Sequence, residues 1–262
     1  MKNSFKITIL QPLSLLLILS SSSFSLEIET SSQAVDIAGK QRMFTQKMLK
    51  EYSMIGMNNS FGNSTKNLEN LINLFDTHLK LLQNYTKNSL IKKSILEANK
   101  LWTPIKKRLE DSPKRESVVE LQKDLEKLLE ASDKTTQLFE QESGNNREEI
   151  INIAGRQRML SQKMASLYLL KVWGIKDEGF KKKMNETMVL FKSSLDKLRL
   201  SELNTEQTKI LLDKVEKSFL FFEIMNRSTL RFIPTLIYKK SDDILENMEV
   251  VTKSYVLEEK NR

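Results

Sequence analysis

A twelve-residue phrase occurs twice in the chain, 116 positions apart. The copy at residues 37–48 reads IAGKQRMFTQKM, and the copy at residues 153–164 reads IAGRQRMLSQKM. Nine of the twelve positions are identical, and the other three exchange Lys for Arg, Phe for Leu and Thr for Ser. Chance does not produce such a match, so the chain contains an internal duplication. Any fold it adopts has to accommodate the same segment twice.

The composition favours helices over strands. Only seven glycines and four prolines occur in 262 residues, and no segment alternates apolar and polar residues over a strand length. Apolar residues recur instead at helical spacing, and the repeat extends into these stripes. Phe191, Leu195 and Leu198 lie 116 positions beyond Phe75, Leu79 and Leu82. We therefore expect an all-α protein of four helices, repeated, in two antiparallel bundles or one fused elongated bundle.

The pattern also predicts the domain boundaries. We expect a first repeat over residues 26–142 and a second over residues 147–262. The phrase helices are predicted over residues 30–57 and 147–173, with Gly174 marking the end of the second. Pro104 is expected to bend or break the third helix, and Pro234 to interrupt the run before the last one.

The N-terminus has the order of a secretory signal peptide. Lys2 and Lys6 precede an apolar run over residues 7–19, and the serine-rich stretch 20–25 follows. We expect cleavage after Ser25 and export of the mature protein to a bacterial periplasm. The alternative is an uncleaved N-terminal membrane anchor. No later stretch is long and apolar enough to cross a membrane as a helix.

Charge and cysteine content exclude several classes of function. The chain carries a formal charge of +8 and has no cysteine, so disulfides and cysteine-ligated metals are excluded. The positive excess suits anionic partners in general. Because it is dispersed among 34 acidic residues, we do not expect nucleic-acid binding.

On a helix turning about 100° per residue, part of each phrase forms one polar face. The predicted ligand-binding residues on it are Gly39, Arg42, Gln46 and Lys47 in the first copy and Gly155, Arg158, Gln162 and Lys163 in the second. Glycine inside a helix costs about 1 kcal/mol relative to alanine. Two such glycines at equivalent positions indicate the close approach of another helix or of a ligand.

An arginine one turn beyond each glycine suggests anion binding. Its planar set of donors matches nitrate, nitrite or a carboxylate, and the nearby Gln and Ser/Thr side chains add neutral donors. If the phrase helices pack together, Arg42 and Arg158 converge, and two buried like charges require an anion between them. The alternative is purely structural: the glycines permit tight helix packing, and the arginines pair with acids on neighbouring helices.

The phrase resembles the N-terminal sensor domain of type IV pili methyl-accepting chemotaxis transducers (PilJ-type), which is similar to the periplasmic domain of nitrate/nitrite sensor kinases. The kinase motif is Ala-Gly, two residues, Arg-Met, one residue, Ser. The second copy matches it at Ala154-Gly155, Arg158-Met159 and Ser161, and the first has Thr45 in place of Ser. The resemblance implies four-helix bundles. In the nitrate sensors it implies nitrate between the motif helices of two subunits, which by position corresponds here to Arg42 with Gly39 and to Arg158 with Gly155. Because both copies lie in one chain, we expect this chain to form within itself what the kinases form as a dimer.

The chain departs from those transducers and kinases in what surrounds the phrase. It shows no second membrane helix and no kinase or methyl-accepting region. We therefore expect an exported sensory module that recognises a small inorganic anion, nitrate or nitrite first, and acts through a membrane sensor kinase or chemotaxis transducer. The sequence does not decide between a monomer and a homodimer. The alternative is a structural or protein-interaction bundle of the cell envelope with no small ligand.

Other candidate chemistry is sparse, and we expect neither an enzyme nor a cofactor. The single histidine, His78, is predicted to face solvent or a helix rim, and no His/carboxylate cluster has metal-ligand spacing. Glu148-Glu149 and Asp242-Asp243 are expected to be solvated helix positions. Trp102 and Trp173 are expected to serve packing.

Overall fold

The computed structural model describes residues 27–227 and 233–257. Within them the chain forms eight α-helices and no strand, as the all-α prediction requires. The first repeat contains α1 (Ser31–Gly56), α2 (Ser64–Tyr85), α3 (Ser89–Glu110) and α4 (Arg115–Ser143). The second contains α5 (Asn146–Val172), α6 (Phe180–Arg199), α7 (Glu206–Arg227) and α8 (Pro234–Leu257). The expected signal peptide over residues 1–25 lies outside the described residues.

The two phrase helices begin and end close to where the sequence predicts. At the start of α1, the Thr30 side chain accepts a hydrogen bond from the Gln33 backbone at 3.2 Å, and Gln33 accepts one from the Thr30 backbone at 3.3 Å. This reciprocal pair is a capping box. Asn145 caps α5 by accepting from the Arg147 backbone at 2.8 Å. Gly174, with a φ of +86°, follows the end of α5 in the left-handed conformation that favours glycine.

Pro104 does not break α3, so the expectation of a break is wrong. The helix runs without interruption from Ser89 to Glu110. Pro104 lies on the exposed face, where water can satisfy the carbonyl that loses its partner, while Trp102 and Ile105 on either side are buried. Packing of that buried face holds the helix together. Pro234 is the first residue of α8, a position where its missing N–H has no helical partner to lose.

The phrase helices α1 and α5 lie side by side and run in parallel. Equivalent residues face each other along them: the Ser32 hydroxyl donates to Glu148, 116 positions away, at 2.9 Å. Gly39 lies against Gly155 further along, and Gly56 lies against Trp173 at the far ends. The two repeats are therefore related by an approximate two-fold axis along α1 and α5.

Each repeat forms a four-helix bundle around its own phrase helix. In the first, α1 packs against α2 and α4, and α3 packs against α4; in the second, α5 packs against α6 and α8, and α7 against α8. The cores contain aromatic pairs at corresponding places, Phe75 with Trp102 at 4.3 Å and Phe191 with Phe219 at 4.6 Å. Of the two architectures expected, the chain adopts two bundles, joined along α1 and α5.

Candidate functional site

Both phrase glycines and both phrase arginines meet at the contact between α1 and α5. A methyl group added at Gly155 would lie 3.9 Å from the Cα of Gly39 and 3.3 Å and 3.2 Å from the Nη2 atoms of Arg42 and Arg158. One added at Gly39 would lie 3.2 Å from Nη2 of Arg42 and 3.7 Å from that of Arg158. Each glycine thus leaves room for both guanidinium groups, one from each repeat.

Arg42 is completely buried and bonded to two neighbouring helices, α4 and α5. Its Nη1 donates to Asp133 of α4 at 2.5 Å, and its Nη2 donates to the backbone carbonyl of Asn152 on α5 at 3.3 Å. The side chain of Asn152 donates in turn to Glu140. Arg42 therefore has one carboxylate and one neutral acceptor.

Arg158 is equally buried but has two carboxylate partners. Its Nη1 donates to Glu249 of α8, and its Nη2 donates to Asp36 of α1 at 2.6 Å. Lys40 completes the network by contacting Asp36 at 3.0 Å and Glu249 at 2.6 Å. Glu249 lies 116 positions after Asp133, and Asp36 lies 116 before Asn152, so the partners of the arginines follow the repeat.

These carboxylates correct one expectation from the sequence. The convergence of two buried arginines does not by itself require an external anion, because Asp133, Asp36 and Glu249 supply negative charge. The donor sets are nevertheless incomplete. Among the described residues, Nε of Arg42 and Nε of Arg158 are buried with no hydrogen-bond partner. A buried donor without a partner is a free-energy cost that an added acceptor would remove.

The two arginines differ in proton affinity. Burial lowers the pKa of Arg42 below its ordinary value, and the single carboxylate of Asp133 only partly opposes this. Burial acts on Arg158 in the same direction, but Asp36 and Glu249 outweigh it, so the pKa of Arg158 is raised. Burial acts to raise the pKa of Asp36, but Arg158 and Lys40 together outweigh it and hold the pKa of that carboxyl below its usual range.

The remaining predicted site residues lie about one helical turn beyond the arginines. The Gln46 amide donates to Glu126 at 3.4 Å, and the Gln162 amide donates to the Ser241 carbonyl at 2.9 Å. Lys163 pairs with Glu126 at 2.8 Å. In the equivalent place Lys47 pairs with Asp242 at 3.6 Å. These side chains form a separate polar layer and do not contact the glycines.

The other polar residues of the phrase serve packing. Gln41 donates to the Phe75 carbonyl at 3.0 Å, and Gln157 donates to the Phe191 carbonyl at 2.9 Å, so each ties its phrase helix to the second helix of its bundle. The hydroxyls of Thr45 and Ser161 donate at 2.8 Å to backbone carbonyls within their own helices, those of Arg42 and Arg158. They are not the spare donors that the sequence suggested.

A further buried network lies deeper along α1, and sequence reasoning missed most of it. Lys50 contacts Asp242 at 2.6 Å and lies 3.9 Å from the centre of the Tyr238 ring, while the Tyr238 hydroxyl donates to Glu51 at 2.9 Å. Burial lowers the pKa of Lys50. The available signal was a departure from the repeat, because Ser166 and Leu167 stand where the first repeat has Lys50 and Glu51.

The acidic partners of the arginines were also missed. By helical periodicity alone, Asp36, Asp133 and Glu249 cannot be distinguished from ordinary surface acids. Comparing the two repeats position by position would have paired Asp133 with Glu249 at the same offset as the phrase itself.

Three further predictions about polar residues are wrong. His78 is buried against the Phe44 ring at 5.1 Å, since its helix turns that face inward. Glu148 is fully buried, where the hydroxyls of Ser31 and Ser32 donate to it. Asp242 is held by Lys50 and does not point freely into solvent.

Trp102 and Trp173 are buried in packing positions, as expected. Among the described residues, no group of three or more acidic or histidine side chains is placed to hold a metal. None of the described helices is long and apolar enough to cross a membrane. A pocket of about 780 Å³ beside Phe180, Met184 and Phe222 does not include the phrase residues.

A protein-family model matches both halves of the chain. The family model described as the type IV pili methyl-accepting chemotaxis transducer N-terminal domain (PilJ) matches residues 25–135 and again residues 140–217. The two matches are tandem and together cover more than half of the chain, and the second ends within α7. No curated protein and no solved structure gives a significant match.

Proposed function

The chain belongs to the PilJ family of chemotaxis-transducer N-terminal domains, with two tandem copies, and from that premise we propose that it is a periplasmic module sensing a small inorganic anion. The family is one of sensory, periplasmic-type domains. Nitrate and nitrite are the leading ligands, because a planar oxyanion matches the planar donors of an arginine pair.

One observation carries the proposal: two buried arginines from equivalent positions meet at two glycines, and each keeps a buried Nε without a partner. The proposed ligand contacts are Arg42 and Arg158, with Gly39 and Gly155 providing the space. Gln46, Gln162, Lys47 and Lys163 form the adjoining layer, in which the glutamines offer neutral amide groups and the lysines pair with Asp242 and Glu126.

Binding at this place would change how the bundles are held together. Asp133 ties α4 to α1 through Arg42, and Glu249 ties α8 to α5 through Arg158. An anion that takes a guanidinium donor competes with the carboxylate already there. We expect the released carboxylate to weaken the hold of α4 on α1 or of α8 on α5. Such a differential contact is what a ligand needs in order to shift a conformational equilibrium.

The signal is proposed to pass to a partner at the membrane, a sensor kinase or a chemotaxis transducer. Export by a cleaved signal peptide, with cleavage after Ser25, is part of the same proposal. Placed outside the inner membrane, the module can meet nitrate or nitrite directly.

A thermal-shift titration of the mature protein tests the ligand. Nitrate or nitrite should raise the melting temperature saturably, following RT ln(1 + [L]/Kd), whereas chloride at equal ionic strength should not. Arg42→Ala and Arg158→Ala should abolish the shift. Arg199→Ala is the control, because Arg199 forms an exposed ion pair with Glu216 of α7. An unchanged shift in both phrase variants would refute the site.

A second function is supported by a specific observation. Both arginines are fully buried and already paired with carboxylates, which is what a structural bundle without a ligand requires. In that case the chain is an interaction protein of the cell envelope, and none of the anions changes its melting temperature.

A further inference from the structure

The two repeats differ in charge at one position beside the arginines. Arg158 donates to two carboxylates, Glu249 and Asp36. Asp133 takes the place of Glu249 beside Arg42, but the equivalent of Asp36 is Asn152, which offers a backbone carbonyl at 3.3 Å. One of the four positions that could hold a negative charge is therefore neutral.

A second cation increases the difference. Lys40 contacts both Asp36 and Glu249, and Arg156 takes its place in the second repeat. Arg156 is half-buried and close enough for its charge to lower the pKa of Arg42. None of the ion pairs in the described part of the chain involves Arg156.

The surroundings therefore divide into two clusters of unequal charge. The Arg158 cluster consists of Arg158, Lys40, Asp36 and Glu249, and its two cations match its two carboxylates. The Arg42 cluster consists of Arg42, Arg156 and Asp133, and it has two cations for one carboxylate. One positive charge stays uncompensated there.

The nearest other carboxylates have partners of a different kind. Glu140 accepts from the Asn152 side chain, and Glu148 accepts from the hydroxyls of Ser31 and Ser32. Neither takes part in an ion pair within residues 27–227 and 233–257. The excess positive charge of the Arg42 cluster is therefore not cancelled through a direct contact.

We propose that the chain binds one anion, at the Arg42 cluster, and that Asn152 is the residue that makes the anion bind there and not at the Arg158 cluster. This inference rests on the proposed function. An anion entering the Arg42 cluster neutralises the excess positive charge beside the fully buried Arg42, where the dielectric constant is low. An anion entering the Arg158 cluster has to displace a carboxylate or leave an excess of negative charge. The two arginines therefore differ in role although their sequence motif is the same.

Calorimetric titration of the mature protein with nitrate tests the proposal with a matched pair of variants. Arg156→Gln and Lys40→Gln each remove one cation from equivalent positions, so the net charge changes equally. We expect one site per chain in the wild type, and an affinity at least about tenfold lower in Arg156→Gln. Lys40→Gln should have a clearly smaller effect. Equal losses in the two variants would overturn the proposal.

Exchanging the carboxylate between the repeats gives a second test. Asn152→Asp should abolish nitrate binding, because it makes the Arg42 cluster neutral. The double variant Asp36→Asn/Asn152→Asp has the composition and net charge of the wild type and should bind again, now depending on Lys40 and not on Arg156. Both variants place the same new carboxylate at position 152 beside Glu140, so restored binding in the double variant separates charge from any local strain.

The outcomes distinguish the two proposals. If the wild type takes up neither nitrate nor nitrite, the proposed function fails and this inference fails with it. Two other outcomes would overturn only the assignment to the Arg42 cluster. In the first, the wild type binds nitrate and Asn152→Asp binds it equally well. In the second, the double variant is folded by circular dichroism but does not bind nitrate.

Discussion

Equivalent residues in the two repeats make equivalent contacts, and most of the identity within the phrase is explained by packing. Gln41 and Gln157 bind the carbonyls of Phe75 and Phe191, which also lie 116 positions apart. Helical spacing predicts Gln46 and Gln162, but not these glutamines, on the face of the phrase glycines. All four glutamines are buried, so only their hydrogen-bond partners show which of them serve packing between helices.

His78 predicts a dependence of stability on pH. Burial and the nearby charge of Lys40 lower its pKa from 6.5 to about 4, although Asp36 and Glu249 oppose this. Between these two values the unfolded chain binds a proton that the folded chain does not. The free energy of unfolding should therefore fall as the pH decreases from about 6.5 to about 4, by up to about 3 kcal/mol.

Urea unfolding at several pH values measures this loss, and His78→Gln is the comparison. The variant should lose less stability over the same interval, since the carboxylates that also titrate there are common to both proteins. Identical pH profiles would contradict the assignment to His78.

The arginine environment could be predicted only in part from the residues. The convergence of Arg42 and Arg158 followed from the phrase, because duplicated helices that pack together bring equivalent residues close. Their acidic partners are on α1, α4 and α8, up to 122 positions away. Such pairings depend on which helices become neighbours, and helical periodicity does not contain that information.

At the scale of helices, α1 and α5 are held together by contacts that leave little room at their far ends. A methyl group at Gly56 would lie 2.1 Å from an atom of the Trp173 ring. Gly56→Ala should therefore destabilise the fold by about 2–3 kcal/mol despite the better helix propensity of alanine. Chemical denaturation of Gly56→Ala, with and without Trp173→Leu, measures the effect. The glycine substitution should cost much less once the ring is removed.

The buried network around Lys50 predicts that removing a carboxylate costs more stability in the second repeat, at Asp242, than at the equivalent position in the first. Asp242→Asn leaves the buried ammonium of Lys50 with only Glu51, 3.7 Å away, as a charged partner. We expect a loss of about 2–3 kcal/mol in the free energy of unfolding. Glu126→Gln is the matched control, because Glu126 occupies the equivalent place and its partner Lys163 is partly exposed. That loss should be below about 1 kcal/mol, and equal losses would show that the network does not hold the helices.

Helix positions were more predictable than helix interruptions. The positions of the phrase helices follow from apolar periodicity and from the glycine after α5, which are local signals. Whether a proline interrupts a helix depends on its exposure and on how its neighbours pack. Pro104 is exposed, and the buried Trp102 and Ile105 hold the helix together around it.

At the scale of the molecule, the two bundles share α1 and α5 as one continuous contact, so we expect them to unfold together. Trp102 lies in the first bundle and Phe219 in the core of the second. In a Trp173→Phe background, Phe219→Ala should lower the urea midpoint reported by Trp102 fluorescence. The expected loss is about 3 kcal/mol. Circular dichroism should give the same midpoint. An unchanged fluorescence midpoint would mean that the bundles unfold independently.

Joining both repeats in one polypeptide has a consequence for how such a site can change. In a symmetric homodimer, one codon change alters both sides of the axis at once. Here position 36 and position 152 are encoded separately, so a single mutation can place an acid on one side and an amide on the other. The covalent link therefore permits an asymmetric binding site that two identical subunits cannot encode.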